Sequence, residues 1–176
     1  MIILCTKFLS MINENQNLCI LIMGLPGSGK TTVGKFLTKR LKAVFIDADD
    51  HHPVQNIIKM SNGYPLNDLD RKKWLLSILK KARQNLKSKN VVIACSALKE
   101  KYRKSLIPLN FQLVYLKIEH DLALRRILKR KKHFMPPSLL ESQIKILEEP
   151  KKSLKINSNL KISQISEIII NEYCLN

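Results

Sequence analysis

Apolar residues fall along this chain in two periods. Short unbroken apolar runs recur, each stopped by a glycine or a polar residue: Leu18 to Met23 before Gly24, Ala43 to Ile46 before Asp47, Val91 to Cys95, and Phe111 to Leu116. Continuous runs of this length are the pattern of strands buried on both faces. Between them the spacing switches to that of helices. Thr31 to Leu41 carries Val33, Phe36, Leu37 and Leu41; Val54 to Met60 is closed by Asn62-Gly63; Asp68 to Leu86 carries Leu75, Ile78, Leu79, Ala82 and Leu86 on one face. A helix is expected after the third strand through Leu106, and a very basic one over Asp121 to Lys131. His133 to Pro137 is a break, after which Ser138 is expected to cap a helix to about Leu147. A strand is expected within Leu154 to Ile162, and Ile165, Ile168 and Ile169 mark a last helix. Strands alternating with helices predict an α/β domain with a mostly parallel sheet. There is no internal repeat and no linker. One domain is expected over 18–176, with 1–17 an extension in which Met11 offers an alternative start.

Composition changes this picture little. At 176 residues, 45% hydrophobic and 26% charged, the chain reads as one soluble globular domain. No apolar run reaches the roughly 18 residues of a membrane helix. The apolar start, Met1 to Ile12, has Lys7 inside it and no cleavage site after it, so it does not read as a signal peptide. Charge matters more. The net charge is +17 and the pI about 9.9, which brings nucleic acid into consideration. Lys outnumbers Arg 24 to 7, however, and the Lys residues are spread along the whole chain beside abundant Ile and Asn. A solvated basic surface is the favoured reading, and such a field also draws an anionic small molecule. Cys5, Cys19, Cys95 and Cys174 show no CxxC spacing, so neither a zinc site nor a disulfide framework is expected. Reduced thiols point to a cytoplasmic protein. The adjacent His51-His52 lacks the i, i+4 spacing of a helix-borne metal site.

The strongest chemical signal lies after the first strand. Gly24-Leu25-Pro26-Gly27-Ser28-Gly29-Lys30-Thr31 matches G-x-x-x-x-G-K-[ST] at every fixed position, between a strand and a helix as the motif requires. Its glycines let backbone N–H groups wrap phosphates, and the helix N-terminus adds partial positive charge. Lys30 is expected to reach the β- and γ-phosphates of a nucleoside triphosphate, and the Thr31 hydroxyl to ligate Mg²⁺. Gly24 through Thr32 is the expected nucleotide site. Asp47-Ala48-Asp49-Asp50 follows the second strand, at the sheet edge that faces ligands in open α/β folds. The third strand ends without an acid, which leaves Asp47 as the metal-side carboxylate. Two basic pairs at i, i+4 spacing are candidates for phosphate or substrate: Arg126 with Arg130, and Lys99 with Arg103. In so basic a chain, spacing alone leaves a solvated face equally open.

The chain resembles the bacterial-type gluconokinases, which are related in fold to shikimate kinases and nucleoside monophosphate kinases. Besides the phosphate loop, the segments that carry the resemblance are Asp47 to Pro53, Asn56 to Met60, Gly63 to Arg71, Trp74-Leu75, Cys95 to Lys99, Tyr102-Arg103, His133 to Pro137, Leu139-Leu140, Ser142-Gln143 and Leu147 to Pro150. The resemblance spans about Leu18 to Pro150. It implies a three-layer P-loop kinase fold with a central mostly parallel sheet, a helical substrate segment near 50–73 and a lid near 126–141. It implies Mg²⁺- and ATP-dependent phosphorylation of D-gluconate at its terminal hydroxyl. A homodimer is expected, and neither nucleic acid nor a membrane as partner. By the same resemblance Asp49 holds the sugar hydroxyl and acts as base, Asp47 serves the metal, and Arg126 and Arg130 are the lid arginines. His52, Arg71, Lys99 and Arg103 become candidates for gripping gluconate. The chain departs from the family at Lys73, where Pro is usual, at Lys104, where Asp is usual, and at Lys132, where Gly is usual. It also lacks an acid around Asn157-Ser158-Asn159. A same-fold kinase for another hydroxy acid such as shikimate is the near alternative.

Overall fold

A computed structural model of the chain describes residues 17–130, 134–173 and 175. The five strands are β1 (Cys19–Met23), β2 (Val44–Asp47), β3 (Val91–Ala94), β4 (Phe111–Lys117) and β5 (Leu154–Asn157). They form one sheet in the order β2-β3-β1-β4-β5, and every pairing is parallel. The helices are α1 (Lys30–Leu41), α2 (Val54–Ser61), α3 (Asp68–Leu86), α4 (Glu100–Lys104), α5 (His120–Leu128), α6 (Leu140–Lys145) and α7 (Ile162–Glu172).

Alternation along the strands builds three layers, because successive side chains point to opposite faces. Ile20, Ile22, Val92, Val114 and Leu116 meet Val33 and Leu37 of α1 and Ile165, Ile169 and Ile170 of α7. Cys19, Leu21, Met23, Val91 and Ile93 face the other way, onto Trp74, Leu75, Ile78 and Ala82 of α3 and Tyr102 of α4. Both faces are covered, which is why β1 and β3 read as unbroken apolar runs. The expected sheet is present and is wholly rather than mostly parallel.

Two expectations are corrected locally. Ser138 does not cap the helix before Leu147. It lies inside a 3₁₀ turn, Pro137–Leu139, and α6 begins afterwards without a side-chain cap. Pro136-Pro137 explains this: ring-locked φ angles and missing N–H groups favour a tight turn there. The helix expected through Leu106 ends at Lys104, and a 3₁₀ turn containing Pro108 follows at Ile107–Leu109. The chain before Asn17, and the Lys132 and His133 of the expected lid, lie outside the described residues.

Candidate active site

The carboxyl ends of β1, β2 and β3 open onto one cavity of about 480 Å³. The phosphate loop leaves β1 at Gly24 and enters α1 at Lys30. Gly24 has φ 149°, and a Cβ there would meet the Leu116 carbonyl oxygen at 2.6 Å. Gly29, the residue before α1, has φ 90°. Only glycine takes such angles without strain, so the loop's curvature is written in these positions. Ser28 is buried, and its hydroxyl has no partner among the described residues.

Lys30 turns back into the loop, where Nζ donates to the carbonyls of Gly24 at 3.0 Å and Leu25 at 3.1 Å. Burial pushes its pKa down, and the negative charge of nearby Asp49 works against that shift. The ammonium thus sits on neutral carbonyls inside the cradle, ready to exchange them for phosphate oxygens. Thr31 Oγ1 donates to Asp47 Oδ2 at 2.8 Å, and Asp47 Oδ1 accepts from the Asp49 N–H at 3.2 Å. Burial raises the Asp47 pKa, opposed by the bond from Thr31. Asp47 also caps a 3₁₀ turn, Ala48–His51, which carries Asp49 into the cavity wall. Trp74 Nε1 donates to the Ala48 carbonyl at 2.6 Å and pins that turn to α3.

Among the described residues no group of three or more His, Cys, Asp or Glu could hold a metal ion. A hydroxyl joined to one carboxylate beside a phosphate cradle nevertheless fits Mg²⁺, which is usually held by one or two protein oxygens plus substrate phosphates and water.

The substrate candidates separate in space. Arg71 and His52 line the cavity, whereas Lys99 and Arg103 do not. Arg71 is 6% exposed, and no carboxylate forms an ion pair with it among the described residues. His52 stacks on Trp74, with ring centroids 4.3 Å apart and planes 10° apart. Burial lowers its pKa to about 4, with Asp49 raising it and Arg71 lowering it further, so the imidazole is neutral. His52 is therefore no cationic grip. Its Nδ1 is itself buried, with no partner among the described residues, so the rest of the ring is what lines the cavity.

Lys99 pairs with Asp68 at 3.2 Å. Arg103 is buried, and its Nη1 donates to the carbonyls of Ala97 and Leu98, each at 2.9 Å. It braces the turn after β3, where Ala97 takes the left-handed φ of 39°. That backbone job, rather than a substrate, accounts for the Arg103 contacts.

Arg126 and Arg130 also part company. Arg126 donates to the carbonyls of Gly27 at 3.1 Å and Ser158 at 3.0 Å. It lines a second cavity of about 250 Å³ between the phosphate loop and the start of α7. Arg130 lines both cavities and so stands at their boundary. The rings of Phe134 and His52 meet in a T-shaped pair with centroids 6.0 Å apart, and Met135 packs with Met60 and Leu66 of the substrate segment. Ser96 and Gln143 also line the larger cavity. Motif spacing gives neither a role, although Ser96 follows β3 at the ligand-facing edge.

A family profile described as shikimate kinase matches residues 26–173. The chain is 46% identical over 149 residues to a probable gluconokinase of Xenopus tropicalis, covering 74% of this chain and 78% of that protein. It is 40% identical over 156 residues to the thermosensitive gluconokinase of Escherichia coli K12, covering 84% and 82%. The crystal structure of a gluconokinase from Sinorhizobium meliloti 1021 is similar with a TM-score of 0.77 at 33% identity, covering 89% of this chain and 91% of that one.

Proposed function

This chain belongs to the shikimate kinase family and, within it, to the gluconokinases, and from that premise we propose that it transfers the γ-phosphoryl group of ATP to the terminal hydroxyl of D-gluconate, giving 6-phosphogluconate and ADP. The observation that carries the substrate reading is Arg71. A buried guanidinium without a counter-ion is costly, and here it faces a cavity that also contains Asp49 and Lys30. An anion is the natural occupant of the Arg71 end. A linear sugar acid brings a carboxylate there and a hydroxyl to Asp49.

The residues divide the work. Residues Gly24 to Thr32 and the N-terminus of α1 hold the phosphates through backbone N–H groups and the helix dipole. Lys30 neutralises charge on the β- and γ-phosphates. Thr31 and Asp47 would hold Mg²⁺, which supplies further neutralisation of the phosphate oxygens. Asp49 orients the terminal hydroxyl and accepts its proton. As the new O–P bond forms, the bond from the γ-phosphorus to its bridging oxygen breaks, and the electron pair leaves with ADP. Arg130, between the two cavities, meets charge developing on the transferring group, while Arg126 shapes the nucleotide side. His52 meets the polyol through a hydroxyl, and Trp74, stacked behind it, holds the imidazole in place. Phosphoryl transfer of this kind rests on positioning and electrostatics.

The proposal includes a homodimer acting in the cytoplasm, supported by the family resemblance; light scattering of the purified chain tests the dimer. Among the described residues no helix is long and apolar enough to cross a membrane. The decisive experiment is ATP consumption across a panel of gluconate, glucose and shikimate. Gluconate should lead by orders of magnitude, since a site built on hydrogen bonds and a charge rejects analogues lacking them. Preference for shikimate would refute the substrate assignment.

A further inference from the structure

Arg71 is aimed by contacts that no substrate makes. Its Nη1 donates to the Leu66 carbonyl and lies 3.4 Å from both the Asn67 carbonyl and the Tyr102 hydroxyl. The guanidinium carbon stands 5.4 Å from the centre of the Tyr102 ring. Among the described residues no acceptor pairs with Nη2 or Nε, so that side of the fork remains for a ligand. Leu66 and Asn67 belong to the same segment as Arg71 and move with it. Tyr102, on α4, ties the guanidinium to a different element, the one that follows the central strand β3.

Tyr102 is itself held. It is 4% exposed, and its hydroxyl donates to Asp68 Oδ1 at 2.5 Å. With its proton committed to Asp68, the phenol oxygen presents lone pairs to Arg71. Asp68 is anchored in turn by Lys99 at 3.2 Å and by Lys101, and the Lys99 ammonium lies 5.8 Å from the Tyr102 ring centre. Asp68 and Arg71 are both in the first turn of α3, while Lys99 and Tyr102 open α4. The two helix starts are thus cross-linked through one phenol.

We infer that Tyr102, fixed by Asp68 and Lys99, is a positioning residue that aims the Arg71 guanidinium at the carboxylate of the sugar acid. This rests on the gluconate reading above. Lys99 then acts on the substrate through three intervening groups without touching it. The surface pairs on Asp68 are solvent-exposed and add little stability. Their effect is directional: they fix one phenol, which fixes one guanidinium.

The test is initial-rate kinetics of the full chain carrying Tyr102→Phe, which keeps the ring and removes the hydroxyl. The gluconate KM should rise about 3- to 10-fold, the scale of one ordinary hydrogen bond, because Tyr102 acts on the substrate only through Arg71. The kcat and the ATP KM should stay within about twofold. D-Glucitol, the same polyol without the carboxylate, should inhibit wild type and variant equally. In an Arg71→Ala background, Tyr102→Phe should raise the KM no further. Asp68→Asn should reproduce the KM shift, which covers the case of a Tyr102 variant that does not fold. An unchanged gluconate KM, an equal loss of glucitol binding, or a shift that persists without Arg71 would each overturn the positioning role. Wild-type protein that ignores gluconate refutes the substrate reading instead, and the same cycle then runs on whichever acid of the panel it phosphorylates.

Discussion

The gluconate KM should be flat from pH 5.5 to 8, and the reason is His52. Read from the chain alone, this histidine is one of four basic candidates for the substrate carboxylate. In the structure it is stacked on Trp74, half-buried, and held neutral by burial with a pKa of about 4. At that pKa only about 1% of the imidazole is protonated at pH 6, against about 75% for an ordinary histidine. A cationic grip with an ordinary pKa would lose most of its charge between pH 5.5 and 7.5, and KM would climb about tenfold. A neutral imidazole that meets a hydroxyl gives no such rise. The assay measures initial rates against gluconate at saturating Mg²⁺-ATP, so that titration of the nucleotide does not enter. His52→Gln should stay within a few-fold of wild type, because the amide still offers hydrogen bonds, whereas His52→Leu should raise KM clearly. A tenfold climb in KM with a midpoint near pH 6.5, abolished in His52→Gln, would refute this. The same burial has a stability signature of definite sign. The folded pKa lies below the unfolded one, so the contribution of neutral His52 is intact above pH 6.5 and is lost as pH falls toward 4. The loss is at most about 3 kcal/mol before partial solvent exposure reduces it.

Asp49→Asn should cut kcat by roughly 10²–10⁴, the scale of a lost general base, with ATP binding by calorimetry unchanged; lost ATP binding with chemistry spared would move Asp49 to the metal side. Lys30→Ala should remove turnover, by about 10² or more, while the circular dichroism and melting curve stay native; near-normal rates would remove the phosphate-loop assignment. Arg130→Ala should lower kcat, and Arg126→Ala should chiefly raise the ATP KM, because only Arg130 reaches both cavities; equal effects on kcat would erase that division. Arg103→Met should cost stability on the order of 1–3 kcal/mol by orphaning the buried Ala97 carbonyl and leaving that of Leu98 with the Glu148 N–H alone, seen as a lower Tm, with the gluconate KM of the folded protein unchanged.

The features legible in the sequence were those whose physics is local. β1 and β3 are buried on both faces, so each is an apolar run whatever packs against it, and the expected ends fall within a residue of those observed. The phosphate loop is legible because its backbone angles demand glycine at fixed places, and Gly24 and Gly29 take those angles. The prolines at 136 and 137 announced a break but not its form: a 3₁₀ turn satisfies them where a Ser138 cap had been expected.

What spacing could not supply was where a helix stops. The i, i+4 rule holds only when both residues are helical. Lys99 has extended backbone angles at the start of α4 (φ −88°, ψ 148°), so it does not share a helix face with Arg103. One side chain goes out to Asp68 while the other turns in to the Ala97 and Leu98 carbonyls. Arg130 lies beyond Lys129, the C-cap of α5, so it leaves the face of Arg126 and reaches the boundary between the cavities. In each pair a one-turn error at a helix end decides which residue meets the ligand. The charge of His52 is further from the sequence still. It depends on Trp74, which α3 brings against the turn after β2 through a bond to Ala48. A side chain's protonation is set by how deeply the fold buries it and which charges it places nearby. A basic residue type in a site therefore specifies a cation only where burial leaves it charged.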